Sequence, residues 1–242
     1  MKKKTAVIIQ ARLGSKRLPK KILKKLSGET LIFRIIERLK YCKEVDQIIL
    51  AMPNKTEEKK IKLNFQNKKI KIFFGPENNV LKRYYLAAKK FNISTIVRFP
   101  GDNATPDPKE IDRIIKYYKK FRKPFFATNI QNVFNNKYPD GIGAEVFGFN
   151  FLDDLMKKKI SKKYQEHVHL NFFDYKKQKI KDKKWCNVKT INCPKKISYP
   201  NLKLDINYYK DYKFVEKIYK SLYSIKKMFT TLDIVKLLKL QK

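Results

Sequence analysis

The first half of the chain alternates short apolar runs with amphipathic stretches. Residues 6–10 (AVIIQ) form a continuous apolar run, the pattern of a strand covered on both faces. Residues 31–39 (LIFRIIERL) place Leu31, Ile35, Ile36 and Leu39 on one helical face. Residues 47–51, 70–74, 95–99 and 125–128 read as further strands. Residues 57–65, 79–91 and 108–121 read as the helices between them. Asn78 or Asn79 is the expected cap of the helix at 79–91. Asp107 followed by Pro108 marks the start of the next. This βαβα order predicts an α/β fold: a mostly parallel sheet with helices on both faces.

The second half is less regular. Residues 130–139 read as a loop or lid and 145–149 as a strand. Residues 151–156 and 162–175 read as helices, 185–191 and 203–205 as strands, and 208–223 and 232–240 as closing helices. No internal repeat or Ser/Gly linker interrupts the chain. It is expected to be one domain over 1–242, with 130–200 as an acceptor-binding, lid or dimerisation subregion. The aromatic pairs Tyr84-Tyr85, Tyr117-Tyr118 and Tyr208-Tyr209 are expected to pack helices.

Composition adds one strong feature. Of 242 residues, 58 are Lys or Arg against 22 Asp or Glu, a formal charge of +36. Such a balance raises nucleic acid as a partner. The excess is mostly evenly spread lysine, with many Asn and Ile residues, as A/T-biased coding produces. No recognisable nucleic-acid motif accompanies it, so no specific nucleic-acid partner is expected. The arginines (Arg12, Arg17, Arg34, Arg38, Arg83, Arg98, Arg113 and Arg122) all lie at or before position 122. They carry more weight, because a planar guanidinium suits bidentate phosphate contacts. Three cysteines without a CxxC pair, and two histidines, argue against zinc and against a disulfide framework. The N-terminal apolar run is too short for a signal peptide, and no run of about 18 apolar residues suggests a membrane span. A cytoplasmic protein is the expectation.

Ligands of open α/β sheets sit beyond the carboxyl ends of the strands. After the first strand comes Ala11-Arg12-Leu13-Gly14-Ser15-Lys16-Arg17-Leu18-Pro19-Lys20-Lys21, a short cationic turn holding one glycine. Its N–H groups and cations can wrap phosphates, although it is neither a Walker A nor a GxGxxG loop. After the fourth strand come Pro100-Gly101-Asp102, where a carboxylate can meet a phosphate-bound Mg²⁺; the competing reading is a turn aspartate. Asp205, inside the apolar run LKLDI, needs a partner: a metal, a helix N-terminus or a lysine.

These residues resemble a known family. AVIIQARLGSKRLPKKIL followed by LIFRIIERL is similar to cytidylyltransferases of the spore-coat-polysaccharide type, relatives of the acylneuraminate and 3-deoxy-manno-octulosonate enzymes. The likeness continues through PENNVLKRYY (76–85), VRFPGDNATPDP, YPDGIGAEVF (138–147), QEHV (165–168) and Leu204-Asp205. It implies a Rossmann-like, nucleotide-diphospho-sugar transferase fold. The implied reaction takes CTP and a sugar or sugar acid to a CMP-sugar and pyrophosphate, for surface-glycan synthesis. By position, Ala11, Arg12, Gly14, Ser15, Arg17 and Lys21 hold the triphosphate, and Arg83 and Arg98 line the nucleotide or phosphate side. Asp102 and Asp205 hold Mg²⁺ and, with Arg12 and Lys21, carry the catalysis. Glu145, Glu166 and His167 face the acceptor, the competing reading of Glu145 being an anchor of a core strand end. A surface or capping role is the plainer reading of His167, and more so of His169. Relatives are commonly dimeric, which implies a homodimer.

The chain departs from the family pattern in four places. Lys20 replaces a usual glycine, and Asn79 stands where an acidic residue is common. Gly143-Ala144 replace Asp-Val, and Ile-Asn-Tyr-Tyr follows Asp205 in place of Thr-Pro-Glu-Asp. The alternatives left open are another acceptor (a polyol phosphate or phosphonate), a basic nucleic-acid-binding protein, and an inert relative.

Overall fold

The computed structural model describes residues 3–65, 70–121 and 125–240; Arg122 lies outside them. In chain order the described elements begin with β1 (Lys4–Gln10), β2 (Lys25–Leu26), β3 (Glu29–Thr30), α1 (Leu31–Leu39), β4 (Gln47–Pro53), α2 (Thr56–Lys60), β5 (Lys71–Gly75), α3 (Val80–Lys90), β6 (Ile93–Pro100) and α4 (Pro108–Lys119). They continue with β7 (Phe126–Thr128), β8 (Glu145–Gly148), α5 (Phe149–Met156), α6 (Lys162–Glu166), β9 (Phe173–Asp174), β10 (Lys179–Ile180), β11 (Val188–Thr190), α7 (Tyr209–Leu222) and α8 (Thr231–Leu240).

Seven strands form one sheet in the order β11-β7-β8-β6-β1-β4-β5. All neighbours run parallel except at β8, which is antiparallel to both β6 and β7. β1 lies inside the sheet, between β6 and β4, and alternates strictly. Val7 and Ile9 pack with α1 and α4 on one face, while Ala6 and Ile8 pack with α3 and α5 on the other. That two-sided burial is why the strand reads as unbroken apolar sequence.

The helix boundaries follow their caps. Thr30 Oγ1 accepts from Phe33 N at 3.4 Å to open α1, and Asn79 Oδ1 accepts from Lys82 N at 2.8 Å to open α3. Asp107 Oδ1 accepts from Lys109 N at 3.0 Å before α4, while its Oδ2 takes the N–H and hydroxyl of Thr231, pinning α8 to the same corner.

Two sequence expectations fail. The helix expected over 162–175 stops at Glu166, because His167 takes φ −107°, ψ 80°. Phe172 then stacks between Phe126 (4.6 Å) and Trp185 (5.3 Å), and Phe173 is buried as well. Burying consecutive aromatics against the sheet overrides helix propensity. The strand expected over 203–205 alternates correctly, with Leu202 and Leu204 buried, but joins no sheet. It forms only isolated bridges, Asp140 to Lys203 and Asn103 to Asp205. The loop expected over 130–139 is one, fastened by buried Asn136 and Tyr138.

Several arginines weighted for phosphate chemistry prove to hold the fold. Arg34 donates to Leu26 O at 2.9 Å and Tyr223 OH at 2.6 Å, and Arg38 to Pro106 O at 2.9 Å and Phe229 O at 2.8 Å. Arg113 bonds Glu110, Tyr138 and Asn192 O. Each satisfies backbone oxygens of segments packed against α1 or α4 that would otherwise be left unpaired.

Candidate active site

The sheet's central strands end together. Gly101 N donates to Gln10 O at 2.8 Å, and a Cβ on Gly101 would sit 2.8 Å from that same oxygen. Only glycine lets β6 close onto β1 so tightly. Beyond this junction lies a cleft of about 500 Å³. Ala11, Arg12, Ser15, Lys16, Arg17 and Lys21 form one wall, Asp102 with Pro100 and Gly101 the floor, and Val80, Arg83, Arg98, Glu166 and His167 the remainder.

The cationic turn is fastened across the cleft rather than left in solvent. Buried Lys21 donates from Nζ to Asp102 Oδ2 at 2.9 Å and to Ile206 O at 2.7 Å. Arg17 Nη2 donates to Asn207 Oδ1 at 2.5 Å, and its guanidinium lies 5.3 Å from the Tyr208 ring. Arg12 Nη2 reaches Glu166 Oε1 at 3.4 Å, with both side chains about half exposed. These contacts join residues 154 to 190 positions apart, except Lys21–Asp102, which are 81 apart.

Asp205 comes close to Asp102, although only Asp102 lines the cleft. Asn103 bridges Asp205, and Ile206 N donates to Asp102 O at 2.9 Å. Burial first, then the charge of Asp102, raises the Asp205 carboxyl above its usual range. A third carboxylate, Asp140, is pushed up to about 6 by burial and by Asp205, with a smaller contribution from Asp102. Asp140 was not among the expected site residues, although its motif, YPDG, was visible. Gly141, at φ +85°, lets that loop press against Leu204, where a Cβ would meet backbone at 2.7 Å. Among the described residues no three His, Cys, Asp or Glu side chains converge as a metal cage. What the floor offers a divalent cation is a pair of hard carboxylate donors beside a phosphate-sized cleft.

Gly14 and Asp205 are not among the lining residues. Gly14 keeps a negative φ, and a Cβ there would meet nothing within 4 Å, so it leaves open space rather than a tight turn. The strained residue of the loop is Lys20, at φ 50°, ψ 31°. Glu145 departs from its expected role. It is buried away from the cleft with both oxygens occupied, by Arg98 and by Tyr175 OH (2.5 Å). Burial alone would depress Arg98, but Glu145 outweighs it and holds the guanidinium above its usual range. Arg98 thus lines the cleft with its charge already neutralised. Behind the pair, burial and then Arg98 push half-buried His169 down to about 4, and its Nδ1 has no partner. Arg83 differs from Arg98: among the described residues it makes no ion pair and its buried Nε has no partner, and burial with nearby Arg12 lowers it to about 10. Sequence reasoning also missed Gln10, whose buried Oε1 is likewise unpartnered at the rim of the cleft.

The left-handed Lys20 predicts a simple result. Lys20→Gly relieves a backbone penalty of about 1–3 kcal/mol, offset by about 0.4–1 kcal/mol of added unfolded-chain entropy. Urea denaturation should show a net gain of about 1 kcal/mol. A loss instead would mean that the Lys20 side chain itself stabilises the loop.

A doubly covered parallel sheet, with a cationic loop after its first strand facing carboxylates at the carboxyl ends of later elements, is the arrangement of a nucleotidyltransferase. Comparisons with known proteins narrow the class. Residues 6–229 match the family described as Cytidylyltransferase. An uncharacterized protein of Methanocaldococcus jannaschii is 36% identical over 66% of this chain and 63% of its own length. The spore coat polysaccharide biosynthesis protein SpsF of Bacillus subtilis is 29% identical over 88% of this chain and 85% of its own. In fold, a cytidylyltransferase from Leptospira borgpetersenii superposes with a TM-score of 0.84 at 24% identity, covering 99% of this chain and 95% of that one. The chain belongs to the cytidylyltransferase family and is a CTP-dependent nucleotidyltransferase. No described helix is long and apolar enough to cross a membrane.

Proposed function

We propose that this protein transfers CMP from CTP to a sugar or sugar acid, with release of pyrophosphate, in a Mg²⁺-dependent reaction of surface-polysaccharide synthesis. One observation carries the reading: Lys21 joins the cationic turn to Asp102 in the wall of one cleft and to Ile206, the residue after Asp205.

An acceptor oxygen attacks the α-phosphorus, its bond forms as the bond to the bridging oxygen of pyrophosphate breaks, and the hydroxyl proton is given up. Such a transfer needs positioning and charge stabilisation rather than a covalent protein intermediate. In the free protein Arg12, Arg17 and Lys21 rest on Glu166, Asn207 and Asp102. A triphosphate of about four charges outcompetes these partners and collects the three cations around itself. Arg83, buried without an ion pair, favours a phosphate or another anionic group at its end of the cleft. Glu166 and His167 also line the cleft, which supports assigning them to the acceptor side. Asp102 and Asp205 fit Mg²⁺, which commonly takes one or two carboxylates plus substrate phosphates. When bound there, the ion would draw charge from the α-phosphate and the leaving pyrophosphate.

The test is a thermal-shift series with CTP, UTP, ATP and GTP, each with and without Mg²⁺. Pyrophosphate release is then assayed over sugar-acid, neutral-sugar, polyol-phosphate and phosphonate acceptors. The expected outcome is selective stabilisation by CTP with Mg²⁺, and release only with a sugar or sugar acid. A preference for another base would move the function away from cytidylyl transfer, and release with a polyol phosphate or phosphonate would replace the acceptor class.

A further inference from the structure

Asn207 lies between the two halves of the site. Its Oδ1 accepts from Arg17 Nη2, and its Nδ2 donates to Asp205 Oδ2. Its backbone is fixed as well: the N–H groups of Asn207 and Tyr208 donate to Asp211 Oδ2 at 3.0 Å and 2.7 Å, in the first turn of α7. The carboxamide is therefore held by its own backbone and used at both ends.

We propose that Asn207 is a positioning residue that presents Arg17 to the polyphosphate and orients Asp205 toward the divalent cation. The proposal rests on the reading of the cleft as a polyphosphate and cation site. A carboxamide can accept from a guanidinium and donate to a carboxylate at once. An aspartate at this position would hold Arg17 too tightly and would repel Asp205, already crowded by Asp102 and Asp211. As a neutral acceptor, Asn207 engages Nη2 of Arg17 without cancelling its charge, and the remaining guanidinium N–H groups stay available to phosphate oxygens. With Oδ2 engaged by Asn207, Asp205 would offer Oδ1 to a divalent cation.

The experiment compares wild type, Asn207→Ala and Asn207→Asp. Mn²⁺ binding is read by electron paramagnetic resonance, inorganic tripolyphosphate binding by thermal shift, and KM for CTP by pyrophosphate release. Asn207→Ala should weaken Mn²⁺ and tripolyphosphate binding by roughly tenfold each, the scale of one hydrogen bond to a charged group, and raise KM for CTP similarly. Asn207→Asp should separate the two functions, retaining Mn²⁺ binding through the added carboxylate while losing tripolyphosphate affinity as Arg17 is held. Wild-type affinities in Asn207→Ala overturn the proposal, as does a lowered melting midpoint with both affinities intact. A wild type that binds Mn²⁺ and tripolyphosphate without preferring CTP defeats the cytidylyl reading while the variants still decide the bridge. Binding of neither probe by wild type defeats both.

Discussion

Asp102→Asn lowers pyrophosphate release by about 10²–10³-fold and leaves the melting midpoint nearly unchanged. The two halves of this expectation have separate causes. Asp102 is partly exposed at the cleft floor, and its one side-chain partner is Lys21. Asparagine has the same shape and can still accept from Lys21 Nζ, so the loop stays fastened. What disappears is the negative charge beside Asp205. A divalent cation held by two carboxylates and substrate oxygens would lose one of its fixed ligands, and the charge built up at the α-phosphorus would lose that stabilisation. The measurement is steady-state pyrophosphate release at saturating CTP, paired with a titration of the metal. A rate loss restored by high metal concentration places Asp102 on the cation. A loss that metal does not restore assigns the carboxylate to Lys21 instead, and a full rate removes Asp102 from the chemistry. Lys21→Met separates the last two cases: it deletes the cation near the phosphates but leaves both carboxylates, so it should raise KM for CTP without changing the metal requirement.

The sequence revealed the sheet better than the site. Strand β1 was legible as an unbroken apolar run and helix α1 by its helical period, and Asn79 and Asp107 announce the helix starts by their side-chain chemistry. The cationic turn and Asp102 were legible because both follow strands of a parallel sheet, where the topology puts ligands. The failures have one physical origin, long-range pairing. Glu145 reads as a carboxylate at a strand end, and nothing local shows that Arg98 arrives opposite it across β6 and β8. Residues 167–175 contain enough helix-compatible residues to extend α6, but Phe172 and Phe173 are claimed by the core against Phe126 and Trp185. Asp140 and Asn207 lie in loops whose neighbours are 65 and 190 residues away along the chain. The family pattern supplied what spacing could not, namely that the turn and the strand-end Asp102 line one cleft, with Asp205 close to Asp102. Where this chain leaves that pattern, at Lys20 and Asn207, only the coordinates give the reason: one residue takes a left-handed backbone, the other joins a carboxylate to a guanidinium.

The second large effect is on stability and concerns the pair Arg98–Glu145. The two side chains are 7% and 2% exposed, so breaking the pair leaves a charge where water cannot reach it. Arg98→Leu should lower the unfolding free energy in urea by about 3–5 kcal/mol, because Glu145 keeps only the Tyr175 hydroxyl as a donor. Glu145→Leu should be comparably harmful, since Arg98 Nε already lacks a partner and the guanidinium would have no counter-charge. The double variant Arg98→Leu/Glu145→Leu should recover most of the loss: two buried charges vanish together, and leucines pack beside Ile8 and Ile96 on the same face. That recovery is the decisive reading, because two independent structural defects would add rather than cancel. A loss below about 1 kcal/mol in Arg98→Leu would mean that water solvates Glu145 from the cleft and that the pair is not desolvated as its burial requires. The same variants bear on the site. Since the charge of Arg98 is cancelled by Glu145 rather than offered to a ligand, the refolded double variant should bind tripolyphosphate nearly as wild type does. Arg83→Leu, which removes a cation with no ion pair to break, should lose that affinity roughly tenfold.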